Sequence, residues 1–367
     1  MKKTGLLFAT IIICTTITAQ QYLKPFFDAA EYIETLGATT YHGSDSGYAF
    51  DKTPRPKQFK KIYLSAEVGL KNQWSLWLRE DAHVALISIR GTVNNAASWL
   101  ENFYAAMVPA KGTLQLNDST FFNYQLADNP AAMVHVGWTL GLAHLAPVIV
   151  QKIKEQYANG VKEFIIMGHS QGGALAFLTT SYLHYLQQNK ELPADVYFKT
   201  YCSAAPKPGN LFYAYDYDFI TRNGWSYTIV NTKDWVPETP FTTQRIADFN
   251  QVNPFVNIKP VLKKQKLLVR WYLNGVYNKM NRRADKSQRA YQKYLGTMVY
   301  GQVKKILPQF KEPIYTESAN YMRAGIPVIL QQDEAYNKMF ADNVNKIFMH
   351  HGMYNYYLLV KKWYMQN

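Results

Sequence analysis

Short apolar runs recur along the first two thirds of the chain and predict the strands of a sheet. They alternate apolar and polar positions, or are apolar throughout, over lengths that are typical of strands. The predicted strands are Trp74–Arg79, Val84–Ile89, Glu163–Met167, Val196–Ala204 and Ser226–Asn231. The run that begins at Glu163 is typical of a strand that is buried on both faces.

Segments with helical spacing separate these strands. One helix carries Trp99 and Phe103 on one face, and Val134–Ile153 and Ala174–Gln188 have the same spacing. Residues 104–133 are rich in Ala, Asn and Asp and have little periodicity, which indicates an irregular cover. Strands that alternate with helices in this way predict an α/β fold, with a mostly parallel sheet flanked by helices.

The pattern changes after Pro240, where basic residues become frequent. Lys259–Glu312 contains fourteen Lys or Arg residues and two acidic ones, interleaved with Tyr and Trp. Because the spacing there is helical, we predict a basic helical insertion at about 241–340. Glu334–Lys362 then returns to an ordinary amphipathic pattern.

The first residues have the pattern of a secretory signal peptide. Two lysines precede Gly5–Ala19, a run of fifteen residues without a charge, which is short of the roughly 20 that span a bilayer. We therefore predict a signal peptide at 1–19, with an N-terminal anchor helix as the alternative, and a secreted or periplasmic domain at 20–367. Removal of the signal would leave Cys202 as the one cysteine, which excludes an intrachain disulfide.

The length, apolar content and net charge exclude some classes of protein and favour others. The chain has 367 residues, of which 48% are hydrophobic and 18% charged, and its formal net charge is +14. This apolar content excludes wholesale disorder, and the length lets the chain bury a sizeable core. The basic balance favours an anionic partner, and a secreted location makes nucleic acid a less favoured partner than a lipid surface.

A glycine-rich turn between a strand and a helix carries the sharpest chemical signal. Gly168–Gly173 reads G-H-S-Q-G-G, follows the buried strand Glu163–Met167 and opens a helix. This is the arrangement of a nucleophile elbow, in which the glycines leave room for a tight turn that presents Ser170. The alternative is an ordinary glycine-rich turn with an exposed serine.

A serine nucleophile needs a base and an acid that orients the base, and in such folds they follow it in the chain. Asp234 lies just past the strand Ser226–Asn231, where a carboxylate could orient an imidazole. His184 lies on the helix that leads away from the elbow, so the base is His350 or His351. This histidine pair has no Cys or carboxylate at ligand spacing, so we predict no metal site. A serine nucleophile with its acid and base needs no cofactor, so we predict none.

Six segments of the chain together resemble the class 3 lipase family, the fungal lipase-like α/β-hydrolases. They are Ile87–Thr92 followed by Trp99 and Asn102, Val134–Trp138 (V-H-V-G-W), Gly168–Ala176 (G-H-S-Q-G-G-A-L-A), Ala205–Asn210 (A-P-K-P-G-N), Val230–Pro237 (V-N-T-K-D-W-V-P) and His351–Tyr356 (H-G-M-Y-N-Y). The last segment resembles the closing motif of bacterial members. The matches occur in the family's order, and they frame residues 60–240 and the end of the chain.

The resemblance implies an α/β-hydrolase fold and assigns roles to individual residues. It implies Ser170 as nucleophile, Asp234 as the orienting acid and His351 as base. It also implies an oxyanion hole made by the backbone N–H groups of Thr92 and Gln171. Gln171 replaces the commoner Leu, a change that is harmless if its N–H alone matters. Two further departures are an interval of 117 residues between the acid and the base, and a 104–133 segment without a recognisable lid helix.

These features predict a serine hydrolase of carboxylic esters, most simply a lipase or esterase that acts on acylglycerols or related lipids. A phospholipase A that acts on anionic phospholipids is an alternative. A catalytically idle hydrolase fold that serves as an envelope-surface binding module is another. The basic insertion is interpreted either as a surface that docks on anionic lipid or as a solvated helical face.

Overall fold

The computed structural model describes residues 21–43, 52–255 and 258–365, and the predicted signal peptide at 1–19 lies outside them. The strands are β1 (Phe59–Leu64), β2 (Trp74–Arg79), β3 (Val84–Ile89), β4 (Met107–Pro109), β5 (Lys111–Gln115), β6 (Phe121–Gln125), β7 (Met133–His135), β8 (Glu163–His169), β9 (Tyr197–Ser203), β10 (Gly209–Asn210), β11 (Ser226–Asn231), β12 (Tyr321–Met322) and β13 (Ile326–Leu330). The α-helices are α1 (Ala29–Thr40), α2 (Ala96–Phe103), α3 (Val136–Ala158), α4 (Gln171–Gln188), α5 (Leu211–Ile220), α6 (Ile258–Lys263), α7 (Leu267–Gln292), α8 (Met298–Ile306), α9 (Glu334–Met339) and α10 (Met353–Tyr364). Short 3₁₀ turns lie at Val236–Glu238, Ile246–Asp248 and Met349–His351, and one π turn lies at Lys293–Thr297.

The central sheet has seven strands in the order β1-β2-β3-β8-β9-β11-β13. The first three strands pair antiparallel, and every pairing from β3 to β13 is parallel. The prediction of a mostly parallel sheet is therefore confirmed. Because the parallel strands point the same way, their carboxyl ends meet along one edge, where ligands bind in open α/β sheets.

Helices cover both faces of this sheet. In β3, Val84 and Leu86 belong to a buried cluster with residues of α1 and α10, whereas Ala85 and Ile87 belong to another with residues of α3, α4 and α5. Alternate residues thus face opposite layers, as the pleat requires. In the described part of the chain, α3 is the one helix long and apolar enough to cross a bilayer, and two thirds of its apolar window is buried in this core.

The segment 104–133, expected to be an irregular cover, is instead built from short strands. The strands β12-β10-β7-β4 form a second sheet, and β5 pairs with β6 in a hairpin. Strands β4 and β7 have three residues each. Strands of that length are too short for alternation to become visible in the sequence.

The helical insertion is shorter than predicted. Helices α6 to α8 occupy Ile258–Ile306, but β13 lies inside the predicted 241–340 range and pairs with β11 at the edge of the central sheet. Pro327 lies within β13, and a proline within a strand is tolerated at a sheet edge. Because proline is rare within strands, Pro327 also kept β13 from being predicted from the sequence pattern.

Candidate active site

Ser170 lies at the sharp turn between the carboxyl end of β8 and the first residue of α4. Its backbone has φ 62° and ψ −130°. This conformation is strained for a residue that has a side chain, and strained backbone of this kind is found at functional sites. A Cβ at Gly168 would lie 2.0 Å from the carbonyl oxygen of Gly172, and one at Gly172 would lie 2.2 Å from that of Ile89. The two glycines are therefore required by this turn, which has the geometry of a nucleophile elbow.

Asp234 and His351 are 117 residues apart in sequence and are brought into contact by the fold. His351 Nδ1 lies 2.7 Å from Asp234 Oδ2. The same oxygen accepts a hydrogen bond of 2.7 Å from the Tyr356 hydroxyl, and Asp234 Oδ1 accepts one of 3.0 Å from the backbone N–H of Val236. Burial raises the pKa of the Asp234 carboxyl, but the hydrogen bonds and charge of His351, with the bonds from Tyr356 and Val236, outweigh it and hold the pKa below its usual value. Asp234 is thus an anion that can orient an imidazole.

The two adjacent histidines have different partners. His350 Nε2 lies 2.9 Å from Asp342 Oδ1, and its Nδ1 lies 3.0 Å from the Tyr336 hydroxyl. Its ring is therefore held away from Asp234. The residues alone leave the pair open and the resemblance implies His351, and the contacts favour His351.

A second histidine holds the backbone of His351. His169 Nε2 lies 2.7 Å from the carbonyl oxygen of His351, and its Nδ1 lies 3.0 Å from Ser203 Oγ. Burial lowers the pKa of His169 to about 3, so its ring is neutral at neutral pH. Because a carbonyl oxygen can only accept, Nε2 carries the proton and Nδ1 accepts from the Ser203 hydroxyl. His169 therefore fixes the segment that carries His351.

The residues expected to form the oxyanion hole lie side by side. A Cβ at Gly91 would lie 3.5 Å from Ser170 Cβ, which places the turn before Thr92 against the nucleophile. Gln171 is the first residue of α4, where backbone N–H groups have no acceptor within the helix. The Thr92 hydroxyl donates a hydrogen bond of 3.0 Å to Gln171 Oε1, so the two residues are joined through their side chains.

A chain of polar side chains fixes Thr92 from the opposite side. Trp138 Nε1 donates to Asn102 Oδ1 at 3.1 Å, and Asn102 Nδ2 donates to Thr92 Oγ1 at 2.8 Å. The Trp138 ring stacks on the His135 ring with centroids 3.6 Å apart. The resemblance includes Trp138, Asn102 and His135, and all three belong to the series of hydrogen bonds and stacked rings that ends at Thr92.

A cavity of about 720 Å³ opens over these residues. Ser170, Gln171, Thr92 and His351 line it, together with His169. Most of its wall is apolar, from Trp99, Phe103, Trp235, Val236, Phe241, Tyr291, Leu295, Phe348 and Met353. Its described lining contains no Lys, Arg, Asp or Glu. The cavity therefore suits an uncharged, apolar group held next to a serine and an imidazole.

The sequence model of the family described as Lipase (class 3) matches residues 86–244, which include Thr92, Ser170 and Asp234. This part of the chain is therefore similar to the class 3 lipase family. The chain is 27% identical over 192 residues to the secreted mono- and diacylglycerol lipase 1 of Fusarium solani. That match covers 51% of this chain and 49% of the relative, so the chain matches about half the length of this curated relative.

Solved lipase structures are also similar to parts of the chain. The Rhizomucor miehei lipase in its propeptide complex is 20% identical with a TM-score of 0.41, over 57% of this chain and 62% of that one. The Lip2 lipase of Yarrowia lipolytica is 16% identical with a TM-score of 0.42, over 59% of this chain and 76% of that one.

The site is completed by residues from outside the matched range. His351 and Tyr356 come from the end of the chain, and Tyr291 and Leu295 reach the cavity from the insertion. Tyr356 lies in the closing motif, so the sequence held a signal for it. Nothing in the sequence pattern distinguished Tyr291 or Leu295 from the other residues of the insertion. Within the described residues, no group of three or more His, Cys, Asp or Glu side chains is arranged to hold a metal ion.

Proposed function

We propose that the chain is a serine hydrolase of carboxylic esters that acts on acylglycerols or related lipids. The observation that carries the proposal is the buried Asp234–His351 pair, whose histidine lines the same apolar cavity as Ser170 on its strained turn. The match of residues 86–244 to the model of the class 3 lipase family agrees with it. A binding module has no need of this combination of groups.

The geometry suggests how the reaction proceeds. His351 Nδ1 donates to the Asp234 carboxylate, which leaves Nε2 as the basic nitrogen. As Ser170 Oγ attacks the ester carbonyl carbon, Nε2 takes the hydroxyl proton and then returns it to the leaving alcohol, so that an acyl-enzyme remains. Water, deprotonated by the same nitrogen, attacks the acyl-enzyme and releases the acid and free Ser170. The chain's own residues supply every proton transfer.

The backbone N–H groups of Thr92 and Gln171 are proposed to hold the oxygen that becomes negative in each tetrahedral intermediate. Loss of one such donor typically costs roughly 10²–10³ in rate. The side-chain bond between Thr92 and Gln171 supports this assignment, because it holds the two residues together beside Ser170.

The cavity wall supports an acyl chain as the group that is bound. Its aromatic and aliphatic side chains can cover an alkyl chain, and the described lining has no charged residue that would pair with an ionic substrate. The Fusarium solani relative is named as a mono- and diacylglycerol lipase, which agrees with a neutral glyceride. A phospholipid is the second candidate, because the exposed surface of the insertion is basic.

Hydrolysis of p-nitrophenyl esters of increasing chain length tests the proposal. We expect release of p-nitrophenol by the wild-type protein and none above background by Ser170→Ala, with Ser170 labelled by a fluorophosphonate. Diacylglycerol and phosphatidylglycerol, compared as substrates, separate a glyceride lipase from a phospholipase A. Absence of turnover and of labelling would contradict the enzyme assignment and favour a binding module.

We further propose that the insertion docks the enzyme on an anionic lipid surface. We call Ile258–Gln292, which contains α6 and α7, the basic arm. Leu267 and Leu268 are each 80% exposed and Trp271 is 77% exposed. In α7 the two buried side chains are Gln288 and Tyr291, close to its end. The first turns of α7 thus offer large apolar side chains to the surroundings.

Cations are interleaved with these apolar groups. The side chains of Lys263, Lys264, Lys266, Lys279, Arg282 and Arg283 are all exposed. Asp285 is the one acidic residue of the arm. An anionic surface attracts each such cation by about 1 kcal/mol, and the aromatic and leucine side chains can enter the headgroup region. Charge and apolar exposure therefore suit the same partner.

Vesicle binding tests the arm separately from catalysis. Wild-type protein should sediment with vesicles of phosphatidylcholine and phosphatidylglycerol, and much less with phosphatidylcholine alone. The double variant Leu268→Glu/Trp271→Glu should lose this binding while its turnover of a short soluble ester is unchanged. Ile314→Glu, at a site outside the arm that is 90% exposed, is the matched control and should bind as wild type. Equal sedimentation of the double variant and wild type would show that the arm is a solvated face.

We propose an extracellular location for the mature chain. The pattern of residues 1–19 and the relative named as a secreted lipase support it. A fusion of residues 1–19 to a reporter should be exported and cleaved, and retention of the uncleaved reporter in the membrane would favour the anchor helix.

A further inference from the structure

The side chain of Gln171 takes part in more contacts than an oxyanion-hole residue needs. A backbone N–H suffices for that role, and the side chain could point anywhere. In this fold it is buried, and Gln171 Oε1 accepts hydrogen bonds from the hydroxyl groups of Thr92 at 3.0 Å and Ser98 at 3.4 Å. The amide therefore ties the turn after β3 and helix α2 to the first residue of α4.

A buried carboxyl group lies on the helix that contacts this amide. Glu101, on α2, is completely buried, and Asn72 Nδ2 donates a hydrogen bond of 3.0 Å to its Oε1. A Cβ at Gly141 would lie 2.4 Å from the same oxygen, so α3 leaves a space for this carboxyl. Glu101 lies on the same helix as Ser98, whose hydroxyl donates to Gln171. The carboxyl is thus enclosed by Asn72 and the backbone of α3, and it holds the helix that contacts Gln171.

This arrangement is costly for stability. Burial raises the pKa of Glu101 to about 8 although Asn72 and Gln171 oppose the shift, so the side chain is neutral at neutral pH. Within the described residues, Glu101 Oε2 and Gln171 Nε2 are buried without a hydrogen-bond partner. Buried polar groups that are only partly satisfied destabilise a protein, and an apolar pair of similar size would pack here at lower cost. A role in the chemistry accounts for polar side chains at this place.

We propose that Gln171, supported by Glu101, is a positioning residue that fixes the spacing of the two oxyanion donors. Thr92 follows β3 and Gln171 begins α4, and the amide between them makes the two backbone N–H groups move as one unit. Glu101, held by Asn72, anchors α2, whose Ser98 hydroxyl donates to the Gln171 amide oxygen. Neither side chain touches the substrate. The inference rests on the proposed function, since it concerns the oxyanion hole of that reaction.

The test compares Gln171→Leu, which keeps the backbone N–H, with wild type on p-nitrophenyl acetate. We expect kcat to fall about tenfold, part of the roughly 10²–10³ that loss of a whole donor costs, while KM is unchanged. The rate of fluorophosphonate labelling should fall by a similar factor, because phosphonylation also needs the hole. Thr179→Val, another change from a buried polar to an apolar side chain in α4, is the control and should leave kcat unchanged.

Variants of Glu101 test the second half of the inference. Glu101→Gln keeps an acceptor for the Asn72 amide and should retain kcat, whereas Glu101→Leu should lower it. Combining Glu101→Leu with Gln171→Leu should be no worse than Gln171→Leu alone, because Glu101 acts on the oxyanion hole through Gln171. If Gln171→Leu does not fold, the comparison of kcat between Glu101→Gln and Glu101→Leu still tests the inference.

Two results would overturn the inference. One is an unchanged kcat in Gln171→Leu, or an equal loss in Thr179→Val, which would reduce the amide to a packing role. The other is a Glu101→Leu variant that retains full kcat. Failure of the proposed function is distinguishable, since it would appear as absence of turnover in wild type and equal background in Ser170→Ala.

Discussion

The Asp234 carboxylate accepts from three groups, of which the His351 ring is the one base, and this ring lines the cavity. Asp234→Asn should therefore lower kcat by about 10⁴-fold, because an amide cannot hold the imidazole in the required tautomer. Initial rates on a short p-nitrophenyl ester measure this. Asp342→Asn makes the same change at the partner of His350 and should leave kcat within about twofold. A reversal of the two results would make His350 the base.

The buried carboxyl of Glu101 should make stability depend on pH. Its pKa is about 8 in the folded state against 4.5 for an ordinary glutamate, so between these values the folded chain holds a proton that the unfolded chain releases. The free energy of unfolding therefore falls as pH rises through this window, by at most about 1.4 kcal/mol per pH unit, and is level above it. The Glu101→Gln variant has no ionisable carboxyl at this position, so its stability should lack this pH dependence.

Thermal unfolding of wild type and Glu101→Gln at several pH values measures the effect. The advantage of the variant in Tm should grow from about pH 5 to pH 8, while all other titrating groups cancel in the comparison. A difference that is constant with pH would mean that Glu101 is ionised in the folded state.

The roles of individual residues could be predicted from the sequence only where those residues stand in a recognisable motif. Ser170, Asp234 and His351 stand in recognisable segments, and the fold brings Asp234 and His351 into contact as expected. Gln171 in place of Leu was expected to be harmless if its backbone N–H alone matters. The contact of its side chain with Thr92 joins residues 79 positions apart, and no local pattern encodes such a pair.

At the scale of elements, the π turn Lys293–Thr297 connects the basic arm to the cavity wall. The backbone carbonyl of Leu295 accepts a hydrogen bond of 3.0 Å from Ala106 N–H, and its side chain lines the cavity. Turns of this kind are frequent at functional sites. The insertion therefore contributes to the space that an acyl chain would fill.

Leu295→Trp should shorten that space. We expect kcat/KM for long-chain p-nitrophenyl esters to fall about tenfold or more, with short-chain esters unaffected, because only the longer chains reach the blocked volume. Tyr294→Trp is the matched control, since Tyr294 is 52% exposed and does not line the cavity. Equal chain-length profiles for the two variants would exclude Leu295 from the acyl site.

The elements that the sequence predicted best are those with enough residues to show a period. Strands β2, β3 and β11 have the predicted bounds, and α4 begins three residues earlier than expected, at the elbow itself. The strands β10 and β12 have two residues each, so their pairing depends entirely on distant partners. β13 pairs through long-range contacts at the sheet edge, and its Pro327 hides it from a propensity-based prediction.

At the scale of the whole molecule, the proposed active site combines widely separated parts of the chain. Thr92, Ser170, Asp234 and His351 come from four segments, and all meet beyond the carboxyl ends of the parallel strands. The family match ends at residue 244 and so omits the proposed base. Helix α10 packs against α1 on one face of the sheet, and Tyr356 of α10 belongs to the buried cluster between them. This packing brings the end of the chain to the site.

The distribution of charge over the molecule yields a prediction that separates docking from chemistry. The net charge is +14, with a concentration of cations in the basic arm, whereas the described cavity lining contains no Lys, Arg, Asp or Glu. Raising the salt concentration from about 0.1 M to 1 M shortens the Debye length from about 10 Å to about 3 Å. Screening of this kind weakens attraction to an anionic surface but has little effect inside an apolar cavity.

Turnover of diacylglycerol in phosphatidylglycerol-containing vesicles should therefore decrease over this salt range, while turnover of soluble p-nitrophenyl acetate stays nearly constant. The Leu268→Glu/Trp271→Glu variant, which has lost apolar insertion and gained two negative charges, should have low vesicle activity at every salt concentration. If salt lowered both activities of the wild type equally, the effect would lie in the catalytic site, and the arm would have no part in bringing the enzyme to its substrate.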